Sequence, residues 1–179
     1  EKAMVLAGYR GCERNQVRER RVLNLVAKVL TERMIKRVRE EEGIVYSIQA
    51  MSRPAGGIPG TGLVMAAAPT DPSTADRLAD TLLEMMQEFA EKGPTEDELK
   101  VAQAQANQKL EKALEQPDFW LGNLSGMRYR GRSLDEFRNL KGLYSQFTVE
   151  DLQQVAQQFF TEDRELRVVA TPTAASSED

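Results

Sequence analysis

The chain has 179 residues, with 24 Lys plus Arg against 28 Asp plus Glu for a net charge of −4, no histidine and a single cysteine, Cys12. Without His there is no Ser-His-Asp triad, no Cys-His dyad and no His-bearing zinc site, and a lone Cys excludes an intramolecular disulfide framework and a Cys-only zinc cluster. The apolar runs fall far short of the ~18 residues of a membrane helix, the mild acidity argues against non-specific nucleic-acid binding, and 41% hydrophobic with 29% charged residues is an ordinary globular composition.

Ala3–Tyr9 (AMVLAGY), closed by Arg10-Gly11, reads as a buried strand. Over 17–39 the apolar residues Val22, Val26, Val29, Leu30, Met34 and Val38 recur at helical spacing over a length no strand reaches, and Gly43 is the breaker. Ile44–Gln49 holds Val45, Tyr46 and Ile48, which favour a strand. Arg53–Gly62 (RPAGGIPGTG) is a loop, and Leu63–Ala68, stopped by Pro69, is the second strand of an antiparallel hairpin.

Leu78, Leu82, Met86 and Phe89 form one stripe of an amphipathic helix over Ser73–Lys92, broken by Gly93-Pro94. Thr95 with Glu98 three residues on is a capping box that opens a long helix reaching Glu115, and Pro117 marks its end or a kink. Phe119–Arg130 suits a packed helix, Ser133–Tyr144 a short one, and Thr148-Val149-Glu150-Asp151 opens the last helix, Val149–Phe160. Leu166–Thr171 closes the chain as a strand. Strands at both ends imply one sheet that takes them in. The predicted class is α+β: a two-layer sandwich of a mixed, mostly antiparallel sheet with helices packed on one face. Residues 1–173 read as a single domain and 174–179 as a flexible C-terminal tail. Glu1 is not a natural start, and no signal peptide is seen, so the chain reads as a fragment or processed product.

The densest chemical signal is Leu30–Ile48. On a helical wheel Arg33 and Arg37 fall on the apolar side, where a guanidinium either pairs with a carboxylate or snorkels, or else serves a site. Arg39 falls on the polar side, seven residues before Tyr46 with Glu40, Glu41, Glu42 and Gly43 between them. A guanidinium and a phenol aimed at one point suit a peptide carbonyl or a developing oxyanion. A solvated helix end plus a half-buried tyrosine is the competing reading. Cys12 sits beside Arg10 and Arg14, whose charge would lower its pKa, but without His it reads as incidental. Asp76, Asp80 and Glu84 read as a solvated helix face. Gly56-Gly57-x-x-Gly60 precedes a strand, not the helix a phosphate loop needs. Phe119, Trp120 and Tyr129 read as core or inter-domain contact.

The same segment carries a resemblance. Arg33-Met34, Val38-Arg39-Glu40, Gly43 and Tyr46-Ser47 resemble the "RL…REk-G-YS" signature of the pitrilysin/insulinase family of zinc peptidases. Gly93-Pro94-Thr95 with Glu98-Leu99, and Thr148 through Leu152, resemble two further helix starts of that family, so the likeness runs along essentially the whole chain. Departures are Glu41 where the family usually has Lys, and Glu42 before Gly43 where it usually has Leu. Both put extra acid beside Arg39.

The resemblance implies a C-terminal, non-zinc domain of a bacterial metalloendopeptidase, in the periplasm or the cytoplasm. Zinc would sit on an inverted His-x-x-Glu-His motif in an N-terminal domain of the parent or in a partner subunit, and no cofactor in this chain. The domain would close the cleavage chamber, with Arg39 holding a backbone carbonyl of the peptide substrate and Tyr46 donating to the scissile carbonyl. The alternative within the family is a non-catalytic scaffold or regulatory subunit.

Overall fold

Every second residue of the first strand, β1 (Ala3–Arg10), is apolar or aromatic, so that Ala3, Val5, Ala7 and Tyr9 face inward and are buried. The computed structural model describes residues 2–129, 131–138 and 140–172; the 174–179 tail reading lies outside them. β1 is central. It pairs with β3 (Leu63–Thr70) on one side and β4 (Glu165–Ala170) on the other, and β2 (Gln49–Arg53) pairs with β3. Every pairing is antiparallel, where the sequence reading allowed a mixed sheet. β1 and β3 approach very closely at Gly8, where a Cβ would lie 2.2 Å from the Val64 carbonyl oxygen and 2.5 Å from Met65 Cα. Only glycine fits there.

The helices cover one face of this sheet. α1 (Val17–Met34) lies over β2, α2 (Ala75–Lys92) over β1, and α5 (Val149–Phe159) against both helices. α3 (Glu96–Leu114) packs on α1. The apolar stripes of α1 and α2 meet the inner sheet face in one continuous core. Tyr9 is its largest fully buried side chain: the ring stacks on Phe160 at 5.0 Å and the hydroxyl accepts from Gln87 Nε2 at 2.8 Å. Both capping boxes form, Thr95 with Glu98 and Thr148 with Asp151. The opposite sheet face carries Met4, Leu6, Met65, Ala67, Leu166 and Val168, and no helix of the described residues covers it.

Five expectations about single elements are corrected. The strand expected at Ile44–Gln49 begins only at Gln49. Val45 makes a lone bridge to Thr70, and Val45 and Ile48 are buried as anchors of a turn. Ala50 instead joins β2, where its N–H donates to Thr31 Oγ1 of α1 at 3.0 Å. β3 runs past Pro69 to Thr70, because β2 ends its pairing at Ala67 and no ladder bond is asked of the proline on that side. The helix expected over Phe119–Arg130 is only α4 (Pro117–Leu124), and Ser133–Tyr144 contains short 3₁₀ turns at Leu134–Phe137 and Leu143–Gln146. Gly126, Gly131 and Gly142, all at positive φ, interrupt helical continuity there. Finally, the helix expected to Arg39 changes character after Met34: Ile35–Glu41 is a π-helix.

Candidate functional site

The π-helix sets the geometry of the Arg39–Tyr46 segment. Its wider turn closes i→i+5 bonds, such as Glu42 N–H to the Arg37 carbonyl at 3.0 Å, and such turns recur at functional sites. Val38 is fully buried while Arg39, Glu40 and Glu41 point to solvent. Gly43, at φ +65°, reverses the chain, and the Ile44 N–H returns to the Val38 carbonyl at 3.3 Å. The returning chain is fastened by the Val45 bridge to Thr70 and by the Thr70 hydroxyl, which donates to the Ile44 carbonyl at 2.8 Å. Arg39 and Tyr46 therefore stand on either side of one pinned turn.

Tyr46 is not half-buried: it is 86% exposed, outside any strand. Arg39 is exposed and its Nη2 donates to Glu40 Oε1 at 3.1 Å. The extra acid does not reach it. Glu42 is held instead by Arg37 at 3.5 Å and Arg77 at 3.2 Å.

Arg33 and Arg37 resolve to ion pairing. Arg33 Nε and Nη2 donate to the two oxygens of Glu98, each at 2.7 Å. Nη2 also reaches the Gly93 carbonyl at 2.9 Å, and the guanidinium lies 5.1 Å from the Phe89 ring centroid. This fork holds the Glu98 carboxyl at about 2, chiefly through the Arg33 hydrogen bonds and against the opposing effect of burial. Sequence reasoning gave Glu98 only its capping role. The missing signal is non-local, because Arg33 lies 65 positions away. Arg37 reaches Glu84 at 3.3 Å and Glu88 at 3.7 Å besides Glu42.

Burial raises the Cys12 thiol above its ordinary value and outweighs the nearby arginine Arg20, which overturns the expected lowering. The Gly-rich loop folds onto this residue: Ala55 N–H donates to the Cys12 carbonyl at 3.0 Å, and a Cβ on Gly62 would meet that oxygen at 2.3 Å. Asp76, Asp80 and Glu84 do lie on the exposed face of α2, where Arg167 of β4 pairs with both aspartates, at 2.7 Å for Asp76, and Arg37 pairs with Glu84. Phe119 and Trp120 are half-buried and Tyr129 is exposed, so none is core. No ligand set for the zinc that the resemblance implies lies among the described residues. The sequence has no His, and among the described residues no group of three or more Cys, Asp or Glu is placed to hold a metal ion. Among them, too, no helix is long and apolar enough to cross a membrane.

No curated protein sequence matches the chain. A Bordetella pertussis Tohama I structure described as a "putative zinc protease" superposes with a TM-score of 0.79 at 16% identity, covering 96% of this chain and 94% of that one. The peptidase M16 inactive domain from Pseudomonas fluorescens gives 0.79 at 20% identity, over 97% of this chain and 42% of that one. The periplasmic protease PqqL from Escherichia coli gives 0.73 at 18% identity, over 96% of this chain but only 19% of its own length. At these identities the likeness shows the fold alone. The sequence profile described as "Peptidase M16 inactive domain" matches residues 1–106, more than half the chain, and the chain belongs to that family.

Proposed function

We propose that this chain, as one domain over residues 1–173, is the non-zinc domain of a larger zinc-dependent metalloendopeptidase that closes the cleavage chamber and presents Arg39 and Tyr46 to peptide substrate. The observation that carries this reading is Tyr46. A large phenol held 86% exposed, on a turn pinned by Val38, Val45 and Ile48, contributes nothing to the core it could have joined. Its O–H is available to donate to a scissile carbonyl as charge develops on oxygen, and Arg39 to a backbone carbonyl beside it. Zinc, on another domain or a partner subunit, would supply the activated water. The exposed apolar sheet face around Met4 and Val168, the latter 52% exposed, supports packing against another domain of the parent.

The test is Tyr46→Phe and Arg39→Ala in the parent polypeptide, assayed on a peptide with its zinc content checked. Loss of one oxyanion donor lowers kcat/KM by ~10²–10³ with unchanged thermal stability; Arg39→Ala should raise KM. Kinetics within twofold of wild type for both variants would make the turn structural. A parent without zinc or activity, alone and with any partner subunit, would make the chain a scaffold or regulatory domain.

A further inference from the structure

A concave site lies toward the N-terminal end of α1, away from the Arg39 turn. α1, the β2 end, α4 and the 3₁₀ turns around Glu136 and Tyr144 enclose about 240 Å³. Three guanidiniums face it: Arg20, Arg21 and Arg132. One carboxylate answers them. Glu136 Oε2 accepts from Arg132 Nε at 3.1 Å and from Arg20 Nη2 at 3.4 Å, while Arg21 Nη2 donates to the Glu136 main-chain carbonyl at 3.1 Å. The side chains of Arg132, Glu136 and Arg20 are 11%, 15% and 23% exposed, so water screens the excess charge poorly. Burial, and then the charge of Arg20, push the Arg21 guanidinium below its ordinary value; Tyr144 and Glu136 oppose this, and Arg132 adds to it. A cluster with two more cations than anions at this depth calls for a counter-anion. The Ser52 hydroxyl, which has no hydrogen-bond partner among the described residues, lines the same cavity. Phe119, Phe137 and Leu143 supply an apolar wall, with Arg132 4.7 Å from the Phe137 ring centroid.

We propose that this cavity binds an organic oxyanion, a phosphate or carboxylate group carried on an apolar body, with the anion on Arg20, Arg21 and Arg132 and the body against Phe119 and Phe137. Planar guanidinium forks match both groups. The proposal is independent of the peptidase reading, since none of these residues belongs to the Arg39–Tyr46 turn.

The test is a titration of the purified chain with phenyl phosphate, benzoate and inorganic phosphate at fixed ionic strength, followed by nuclear magnetic resonance of backbone amides and arginine Nε–H groups. The expected result is saturable one-to-one binding, with shifts centred on Arg20, Arg21, Arg132 and Ser52, and with phenyl phosphate or benzoate tighter than inorganic phosphate. The tighter of the two aromatic probes identifies the anionic group. Arg21→Gln and Arg132→Gln should each weaken binding at least tenfold, while Arg138→Gln, an exposed cation outside the cavity, should leave it unchanged. Linear, non-saturating shifts spread over the surface would overturn the proposal, and so would equal weakening by Arg138→Gln. If a cavity variant does not fold, the wild-type shift map still decides.

Discussion

Replacing Glu98 by Gln removes a charge while keeping a side chain that can serve a capping box, so it isolates the Arg33 fork. The Glu98 carboxyl lies at about 2 against an ordinary 4.5. At ~1.4 kcal/mol per unit this sets an upper bound of roughly 3.4 kcal/mol. The side chain is 30% exposed, and solvent screening reduces the expected value to about 2 kcal/mol. Because the fold depresses this pKa, the stabilisation is complete above 4.5 and is lost as pH falls towards 2. Urea unfolding at pH 7 should therefore place Glu98→Gln about 2 kcal/mol below wild type, a loss of roughly 4–8 °C in Tm for a chain of this size. At pH 2.5 most of that gap should have closed. The other carboxylates titrating in this window are common to both proteins and cancel in the difference. A gap of the same size at both pH values would refute the electrostatic account and leave only packing or capping.

Gly8→Ala forces a Cβ into the Val64 carbonyl at 2.2 Å, so the urea midpoint should drop by the equivalent of about 3 kcal/mol or more; an unchanged midpoint would show that β1 and β3 can part. Thr148→Ala removes the acceptor of the Asp151 N–H at 3.2 Å and should cost about 1 kcal/mol, read in the same assay. Cys12, buried and with its thiol pKa raised, should react with a disulfide reagent only at the rate of unfolding, so rapid labelling of the native chain would contradict its placement.

What was legible in the sequence was whatever local chemistry decides. Thr95/Glu98 and Thr148/Asp151 could be read as caps because each bond spans three residues. The apolar stripe of α2 placed its buried face, and the terminal strands implied their shared sheet. Position on a helical wheel flagged Arg33 as needing a partner, but only the fold could bring Glu98 to it. Ile44–Ile48 has strand composition, yet Val45 and Ile48 are spent on anchoring a turn, so the pattern gave the right burial and the wrong element. The aromatic-rich stretch after α4 has helix-like apolar spacing that three positive-φ glycines override. The arginine cavity was invisible because Arg20 and Arg21 meet Glu136 and Arg132 across more than a hundred residues of chain.

The π-helix at Ile35–Glu41 also bears on how this segment tolerates insertion and deletion. A turn closed by i→i+5 bonds holds one residue more than its α-helical counterpart. Losing a single residue inside it can be absorbed by reverting to α-helix, with α1 and the Gly43 reversal still joined. The same loss within α1 would rotate every later side chain by roughly 100° and carry Arg33 away from Glu98. Length variation among relatives is thus expected to collect within these seven residues, and an alignment that places its gap elsewhere in the segment would pair Arg39 with a side chain on the wrong face of the helix.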